Sequence, residues 1–294
     1  MDVSVIIVNY NTPELTARCV RSVFAHTKDI SFEVILVDNA STIGDLSGLT
    51  AEFPALTFIR NERNEGFARG NNKGIAVAKG KFILLLNSDT ELTENSIASC
   101  LHQFEQTPRP GIVTCKLLFP DGMVQHQCQR FPSIGLTLLE LFRLHKLLSK
   151  KKRAQVMLGT FFDHQSNAWP DSVWGAFFLF PVAILSAFPD KKLPEDFFMY
   201  SEDVMWCYLL RRSGHPVFYY AGTSIIHHLG ASASPAVLRQ KHMNEYLYIS
   251  SYRGSFYART LMLARTFLYL TSRSAYAGEI RKLSFQLFLK GAKR

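Results

Sequence analysis

The sequence predicts an α/β fold, a doubly wound and mostly parallel sheet followed by a C-terminal helical extension. Three observations carry that expectation. Short apolar, β-branched runs recur through the first 120 residues, the connections between them are long enough for helices, and from Pro235 onward the pattern is helical. The 294-residue chain is 47% hydrophobic and 19% charged, which supports a large packed core and excludes wholesale disorder.

Residues 3–8 read as a strand buried on both faces. Pro13 opens a helix with Leu15, Cys19, Val20 and Val23 on one face. Strands follow at 32–37 and 56–59, a loop and helix at 66–78, a strand at 82–86, a helix at 94–104 and a strand at 112–115. In residues 134–153, Leu138, Leu139, Phe142 and Leu147 share a helical face that runs into Lys150-Lys151-Lys152-Arg153. An interfacial helix and a solvated charged end both fit it. The longest apolar stretch, 173–188, is too short to span a bilayer and contains Pro181; it reads as a strand followed by a helix. Residues 206–212 read as helix, and 216–220 and 224–226 as two short strands.

Charge is unevenly spread. Residues 1–120 net −2 and residues 121–210 net 0, whereas residues 211–294 hold 13 basic against 2 acidic side chains. The overall +9 therefore belongs to the tail and points to an anionic partner there. Nucleic acid is disfavoured, since no recognition motif accompanies the charge. The five cysteines form no C-x-x-C pair, which favours reduced thiols in a cytosolic protein. Met1-Asp2-Val3-Ser4 lacks the basic start of a signal peptide.

Ligands of doubly wound sheets bind beyond the carboxyl ends of the strands. Polar clusters stand at three such ends: Asn9-Tyr10-Asn11, Asp38-Asn39 and Asn87-Ser88-Asp89. Asp89 can hold Mg²⁺ or Mn²⁺, or cap a helix. Glu202-Asp203 can supply a general base, or complement a helix dipole. His227-His228 can complete a metal shell, or be structural. Arg69 and Lys73, one helical turn apart in a Gly- and Asn-rich segment, suit phosphate contacts. That segment is neither a P-loop nor a dinucleotide fingerprint.

The ordered motifs VSVIIVNYN (3–11), VDNAS (37–41), NEGFARGNNKG (64–74), LNSD (86–89), Gly175 to Phe177, FMYSED (198–203) and IHHLGAS (226–232) resemble inverting glycosyltransferase family 2, in its bacterial rhamnosyltransferase-like group. The resemblance implies a glycosyltransferase-A fold. It places Tyr10 and Asn11 by a nucleobase, Asp38 as acceptor of a pyrimidine hydrogen bond, and Asn64, Gly66, Arg69 and Asn72 around the nucleotide. Asn87-Ser88-Asp89 matches the family's D-x-D motif with Asn in place of the first Asp, and Asp89 and His227 match metal positions, His228 being a rival. Asp203 matches the catalytic base, supported by Glu202. Gly175 and Ala176 match the acceptor or donor-sugar pocket. Relatives continue the acidic motif as E-D-x-D, where this chain has Met205.

The implied reaction moves a sugar, rhamnose as the best single choice, from a dTDP- or UDP-sugar to a glycan or polyprenyl-diphosphate-linked acceptor in bacterial surface polysaccharide synthesis. A divalent metal, Mg²⁺ or Mn²⁺, assists the leaving group. The alternatives are a nucleotidyltransferase, which lacks its phosphate loop here, and an inactive nucleotide-sugar-binding module, which would have lost Asp38, Asp89 and Asp203. The expected organisation is a catalytic domain at 1–232, split into a nucleotide-sugar half (1–120) and an acceptor half (121–232), with a basic, aromatic-rich extension at 233–294. The expected location is cytoplasmic, at most peripheral on an anionic inner membrane, with a dimer permitted by the aromatic surface of 246–267.

Overall fold

The structure is a computed structural model and describes residues 1–229, 235–270, 272 and 276–292. The end of the IHHLGAS motif and the expected boundary at 232 lie outside the described residues. The chain divides into two compact units, Met1–Gln129 with Asp163–Gly230, and Arg130–Phe162 with Ala231–Arg294.

The first unit is built on one eight-stranded sheet. Along the chain come β1 (Val3–Asn9), α1 (Pro13–His26), β2 (Phe32–Asp38), α2 (Gly48–Glu52), β3 (Leu56–Arg60), α3 (Phe67–Val77), β4 (Phe82–Asn87), β5 (Thr90–Leu92), α4 (Ser96–Gln106) and β6 (Ile112–Leu118). After an excursion into the second unit through α5 (Ile134–Leu141) and α6 (Lys150–Met157), the sheet is completed by β7 (Phe177–Pro181), α7 (Glu202–Arg212) and β8 (Val217–His227). The strand order is β3-β2-β1-β4-β7-β6-β8-β5. The first four strands are parallel, as are β6 and β8; β7 and β5 run antiparallel to their neighbours.

The apolar runs form strands because both of their faces are covered. Val5, Ile6, Ile7, Val34 to Val37 and Ile83 to Leu85 are all fully buried. Helix α3 lies so close to β1 that a Cβ on Gly74 would stand 2.5 Å from Cγ2 of Ile6. Antiparallel β7 enters the sheet where β4 leaves it, pairing Phe177 with Leu86, which sets Gly175 and Ala176 beside Asn87. The entry is closed by a hydrogen bond from the Asn87 N–H to the Ala176 carbonyl, 3.1 Å.

Three local expectations change. The two strands expected at 216–220 and 224–226 are one strand, β8, whose partner register jumps between Cys115 and Lys116 so that residues 221–223 are extra. Asp89 does not cap a helix, because Thr90 to Leu92 follow it as a strand and α4 starts only at Ser96. That strand, β5, pairs with Ile225 to His227 of β8. The apolar face across 134–153 is not one helix, because Arg143 adopts a left-handed φ of 55° and ends α5; a 3₁₀ turn (Leu144–Leu147) and then α6 follow.

The second unit holds α5, α6, α8 (Pro235–Arg253), α9 (Ser255–Leu268) and α10 (Ala277–Lys290). Ile249, Leu261, Met262, Leu283 and Leu287 are buried within it. Arg265 is also turned inward and pairs with Glu245 through both terminal guanidinium nitrogens. No helix among the described residues is long and apolar enough to cross a membrane.

Candidate functional site

The carboxyl edge of β1, β2 and β4 is a connected polar layer. Register places Asn9 beside Asp38, and Val8 beside Asn87. Asn9 is buried and every polar atom of its side chain is used. Its Nδ2 donates to Asp38 Oδ1 (2.7 Å) and Ser41 Oγ (2.9 Å), and its Oδ1 accepts from the Thr12 N–H and from the hydroxyls of Thr12 and Thr16. The last three bonds tie the start of α1 to the end of β1. Just past the end of β2, Asn39 is used in the same way, donating to Asn64 Oδ1 and Gly66 O while accepting from Asn61 Nδ2 and the Glu65 N–H. Beside them Ala40, Ser41, Arg60, Asn61 and Glu62 line an open groove of about 470 Å³. Asp38 is nearly buried, and Arg60 Nε approaches its Oδ2 to 3.8 Å.

Tyr10 is 45% exposed at this edge. Asn11 has a left-handed φ of 56°, and its Oδ1 accepts from the N–H groups of Thr42 and Ile43. Ser88 lies 3.3 Å from the Thr12 hydroxyl. Arg69 and Lys73 are each already matched with a carboxylate, Glu195 at 3.4 Å and Glu65 at 3.0 Å. Asn72 clamps the 193–195 segment with three hydrogen bonds, donating to Leu193 O and Glu195 Oε1 and accepting from the Leu193 N–H. Burial pushes the Glu195 carboxyl up, but hydrogen bonds from Asn72 and Lys192, with the charges of Lys192 and Arg69, hold it below the usual carboxylate range.

The loop before α7 is docked on the start of α3. Gly66 (φ 84°) has no room for a side chain, since a Cβ there would stand 2.3 Å from the Phe198 carbonyl oxygen. That oxygen accepts from the Phe67 N–H at 3.0 Å. Tyr200 and Ser201 follow in consecutive left-handed conformations (φ 72° and 70°). Such non-glycine strain, on the order of 1 kcal/mol or more per residue, persists where the surroundings over-determine it. The strained pair delivers Glu202, which is buried, and Asp203 to the first turn of α7. Asp203 accepts from the Val204 N–H on Oδ1 (2.8 Å) and from the Gly175 N–H on Oδ2 (3.1 Å).

Gly175 belongs to a three-residue link across the site. Gly175 holds Asp203, Ala176 holds Asn87, and the Trp174 ring stands against His227 with centroids 6.4 Å apart. The β5–β8 pairing then decides between the two histidines. His227 Nε2 lies 3.4 Å from Asp89 Oδ1. The His228 ring points to the other face of the strand, onto Glu91 Oε2 at 3.2 Å.

Gln125, which no local motif marks, sets the chemistry of His227. Its Nε2 lies 2.7 Å from the His227 carbonyl and 3.3 Å from that of Leu118, both of which only accept, so the amide nitrogen must face them. Its Oε1 therefore faces His227 Nδ1 at 2.8 Å, and Nδ1 must carry a hydrogen. His227 Nε2 then faces the Asp89 carboxylate: an imidazolium donates to it, whereas a neutral ring turns a lone pair toward it that a cation could share with Asp89. Two ligands about 2.1–2.2 Å from one ion stand about 3 Å apart in adjacent octahedral positions, so the 3.4 Å gap fits a divalent metal after a small adjustment. A mixed carboxylate and imidazole pair suits Mn²⁺ better than Mg²⁺. Among the described residues no third His, Cys, Asp or Glu joins them. Asn87 Oδ1, two residues before Asp89, is buried with no hydrogen-bond partner.

The profile of Glycosyl transferase family 2 matches residues 4–169, more than half the chain. This chain belongs to glycosyl transferase family 2. Over 126 residues it is 36% identical to the O-antigen biosynthesis protein RfbC of Myxococcus xanthus, covering 42% of this chain but 10% of that protein. Over 216 residues it is 25% identical to the low-salt glycan biosynthesis hexosyltransferase Agl10 of Haloferax volcanii, covering 72% of this chain and 62% of Agl10. Among solved structures, a mannosyltransferase from Pyrobaculum calidifontis in complex with GDP-Man and Mn²⁺ superposes with TM-score 0.59 at 15% identity, over 99% of this chain and 76% of the other. TarS of S. aureus in complex with UDP-GlcNAc superposes with TM-score 0.58 at 14% identity, over 100% of this chain and 82% of the other. The family 2 chain thus has the glycosyltransferase-A fold, with mixed α/β layers.

Proposed function

We propose that this family 2 chain is an inverting glycosyltransferase that moves a sugar from a nucleoside-diphosphate donor to a hydroxyl of a glycan or lipid-linked glycan. The observation that carries the reading is the Trp174-Gly175-Ala176 link, which joins a held carboxylate, Asp203, to the Asn87-to-Asp89 segment and His227 in one site. Asp203 is the general base. Two backbone N–H groups orient its carboxylate, and it takes the proton of the acceptor hydroxyl as that oxygen bonds to the anomeric carbon and the bond to the diphosphate oxygen breaks. One displacement from the face opposite the nucleotide inverts the anomeric centre. Glu202 supports the turn that presents Asp203. Gly175 and Ala176 border the reacting sugar.

The nucleotide lies along the carboxyl edge of the sheet. Asp38 accepts from a pyrimidine ring N–H, the exposed Tyr10 ring covers the base, and Asn11, Asn64, Gly66 and Ser88 shape the walls. Arg69 reaches the phosphates by exchanging its Glu195 partner, while Asn72 holds the 193–195 segment in place. Asp89 and His227 would hold a divalent metal, Mn²⁺ or Mg²⁺, which when bound offsets charge developing on the leaving diphosphate. The nucleotide sugars and Mn²⁺ in the neighbours' complexes support a nucleotide-sugar donor and metal dependence. A dTDP- or UDP-sugar, with rhamnose the first to try, fits a role in surface polysaccharide synthesis; the O-antigen and glycan biosynthesis relatives support that setting.

The test is Asp203→Asn assayed against a panel of nucleotide sugars. Transfer should be abolished while nucleotide binding by calorimetry stays within about twofold, because Asp203 lies outside the nucleotide edge. Turnover like that of the wild type would remove Asp203 as the base.

A further inference from the structure

The second unit concentrates positive charge beyond what the tail alone suggests. Residues 130–162 and 231–294 together hold 18 basic against 3 acidic side chains, so this unit nets +15 and the first nets −6. Within it, residues 141–162 contain six cations (Arg143, Lys146, Lys150, Lys151, Lys152 and Arg153) and no acidic residue.

The same segment exposes large apolar side chains. Phe142 is 65%, Leu144 45% and Leu147 83% exposed, three within six residues. The helix ends at the left-handed Arg143, and the 3₁₀ turn after it carries Leu144 and Leu147. The turn is anchored from below. His145 is buried, its ring 5.1 Å from that of Phe161, so its apolar neighbours are held outward rather than left to collapse.

We propose that residues 142–153 form a docking face for an anionic lipid leaflet. Apolar side chains that project singly, with lysines between and after them, match an interface in which the rings and branched chains enter the acyl boundary and the ammonium groups stay at the headgroups. Charge selects this occupant. An anionic leaflet complements the six cations, whereas the same face of a second copy would meet like charge. The tail contributes less than its composition suggests, since Arg265 is paired internally with Glu245. The inference is independent of the donor, metal and base assignments above, and it goes beyond them.

The experiment is flotation of the full chain with phosphatidylcholine vesicles and with vesicles of phosphatidylcholine and phosphatidylglycerol in equal amounts. Wild type is expected to float with the anionic vesicles only, and less so as salt rises. Lys150→Gln/Lys151→Gln/Lys152→Gln should weaken partition roughly a hundredfold, at about a factor of five per cation. Phe142→Ser/Leu147→Ser should weaken it about tenfold or more while leaving the thermal midpoint unchanged, because both side chains are already exposed. Wild-type binding by either variant, or no preference for the anionic vesicles, overturns the proposal. So does sedimentation showing that the face is instead covered by a second copy and that Leu147→Ser disperses it.

Discussion

Replacing Gln125 by Met keeps the length and apolar stem of the side chain and removes its amide. Three hydrogen bonds are lost, to the His227 carbonyl (2.7 Å), the Leu118 carbonyl (3.3 Å) and His227 Nδ1 (2.8 Å). Gln125 is 1% exposed, so water does not replace them. Leaving the imidazole N–H and a carbonyl unsatisfied should cost about 2–6 kcal/mol of stability, at about 1–3 kcal/mol for each buried group. The effect on metal binding is separate. Without its acceptor, Nδ1–H is no longer favoured over Nε2–H, and a hydrogen on Nε2 blocks the lone pair that faces Asp89. Loss of an outer-sphere partner of this kind weakens metal affinity about 10–100-fold. Two measurements read this without turnover. Long-range ¹H–¹⁵N spectra of the metal-free protein should show His227 as the Nδ1–H tautomer in wild type and as a mixture in Gln125→Met. Mn²⁺ titration followed by electron paramagnetic resonance should give the affinity loss, with Asp89→Ala as the limiting case. Unchanged tautomer and unchanged Mn²⁺ affinity in a folded Gln125→Met protein would refute the reasoning.

Other consequences are more local. Gly66→Ala should lower stability by more than about 2 kcal/mol in urea unfolding, combining a left-handed φ with a Cβ 2.3 Å from the Phe198 carbonyl. Gly135→Ala in α5 meets nothing within 4 Å and should raise stability by roughly 0.5–1 kcal/mol. Because the Glu195 carboxyl is held below its ordinary value, the stability it contributes is complete above the unfolded carboxylate value, about 4.3, and is lost as pH falls through the lower folded value. Glu195→Gln should therefore flatten the acid side of a plot of unfolding midpoint against pH, leaving the neutral range parallel to wild type. All five cysteines are buried, and burial pushes the Cys19 thiol up to about 12. A thiol reagent at neutral pH should consequently react only at the rate of unfolding, and a native-state burst would contradict the burial.

The parallel strands and the polar edge were legible in the chain because both are local. A run such as VSVIIVN forms a buried strand wherever it pairs, and Asn9, Asp38 and Asn87 end their strands by sequence position alone. The motif resemblance led to the family that the profile match shows. The sequence also marked Asp89, Asp203 and a histidine pair as chemically able, but the alternatives to each stayed open, since a cap, a dipole partner and a ligand are the same residue types.

Tertiary structure decided what depends on distant contacts. His227 rather than His228 faces Asp89 because a three-residue strand pairs across 137 positions, too short to signal itself in the sequence. Gln125 matters only because it meets His227, 102 residues away. Arg69 and Lys73, read as phosphate contacts, are matched with Glu195 and Glu65, partners that spacing did not reveal. The segment 130–162 packs with the C-terminal helices in one compact unit, which gathers charge that a linear count divides. The strands, the polar edge and the set of reactive groups follow from side-chain type and short-range periodicity, so the order of residues is enough to read them. Only the folded chain decided which groups meet, since pairing register and side-chain direction are set by contacts between residues far apart along it.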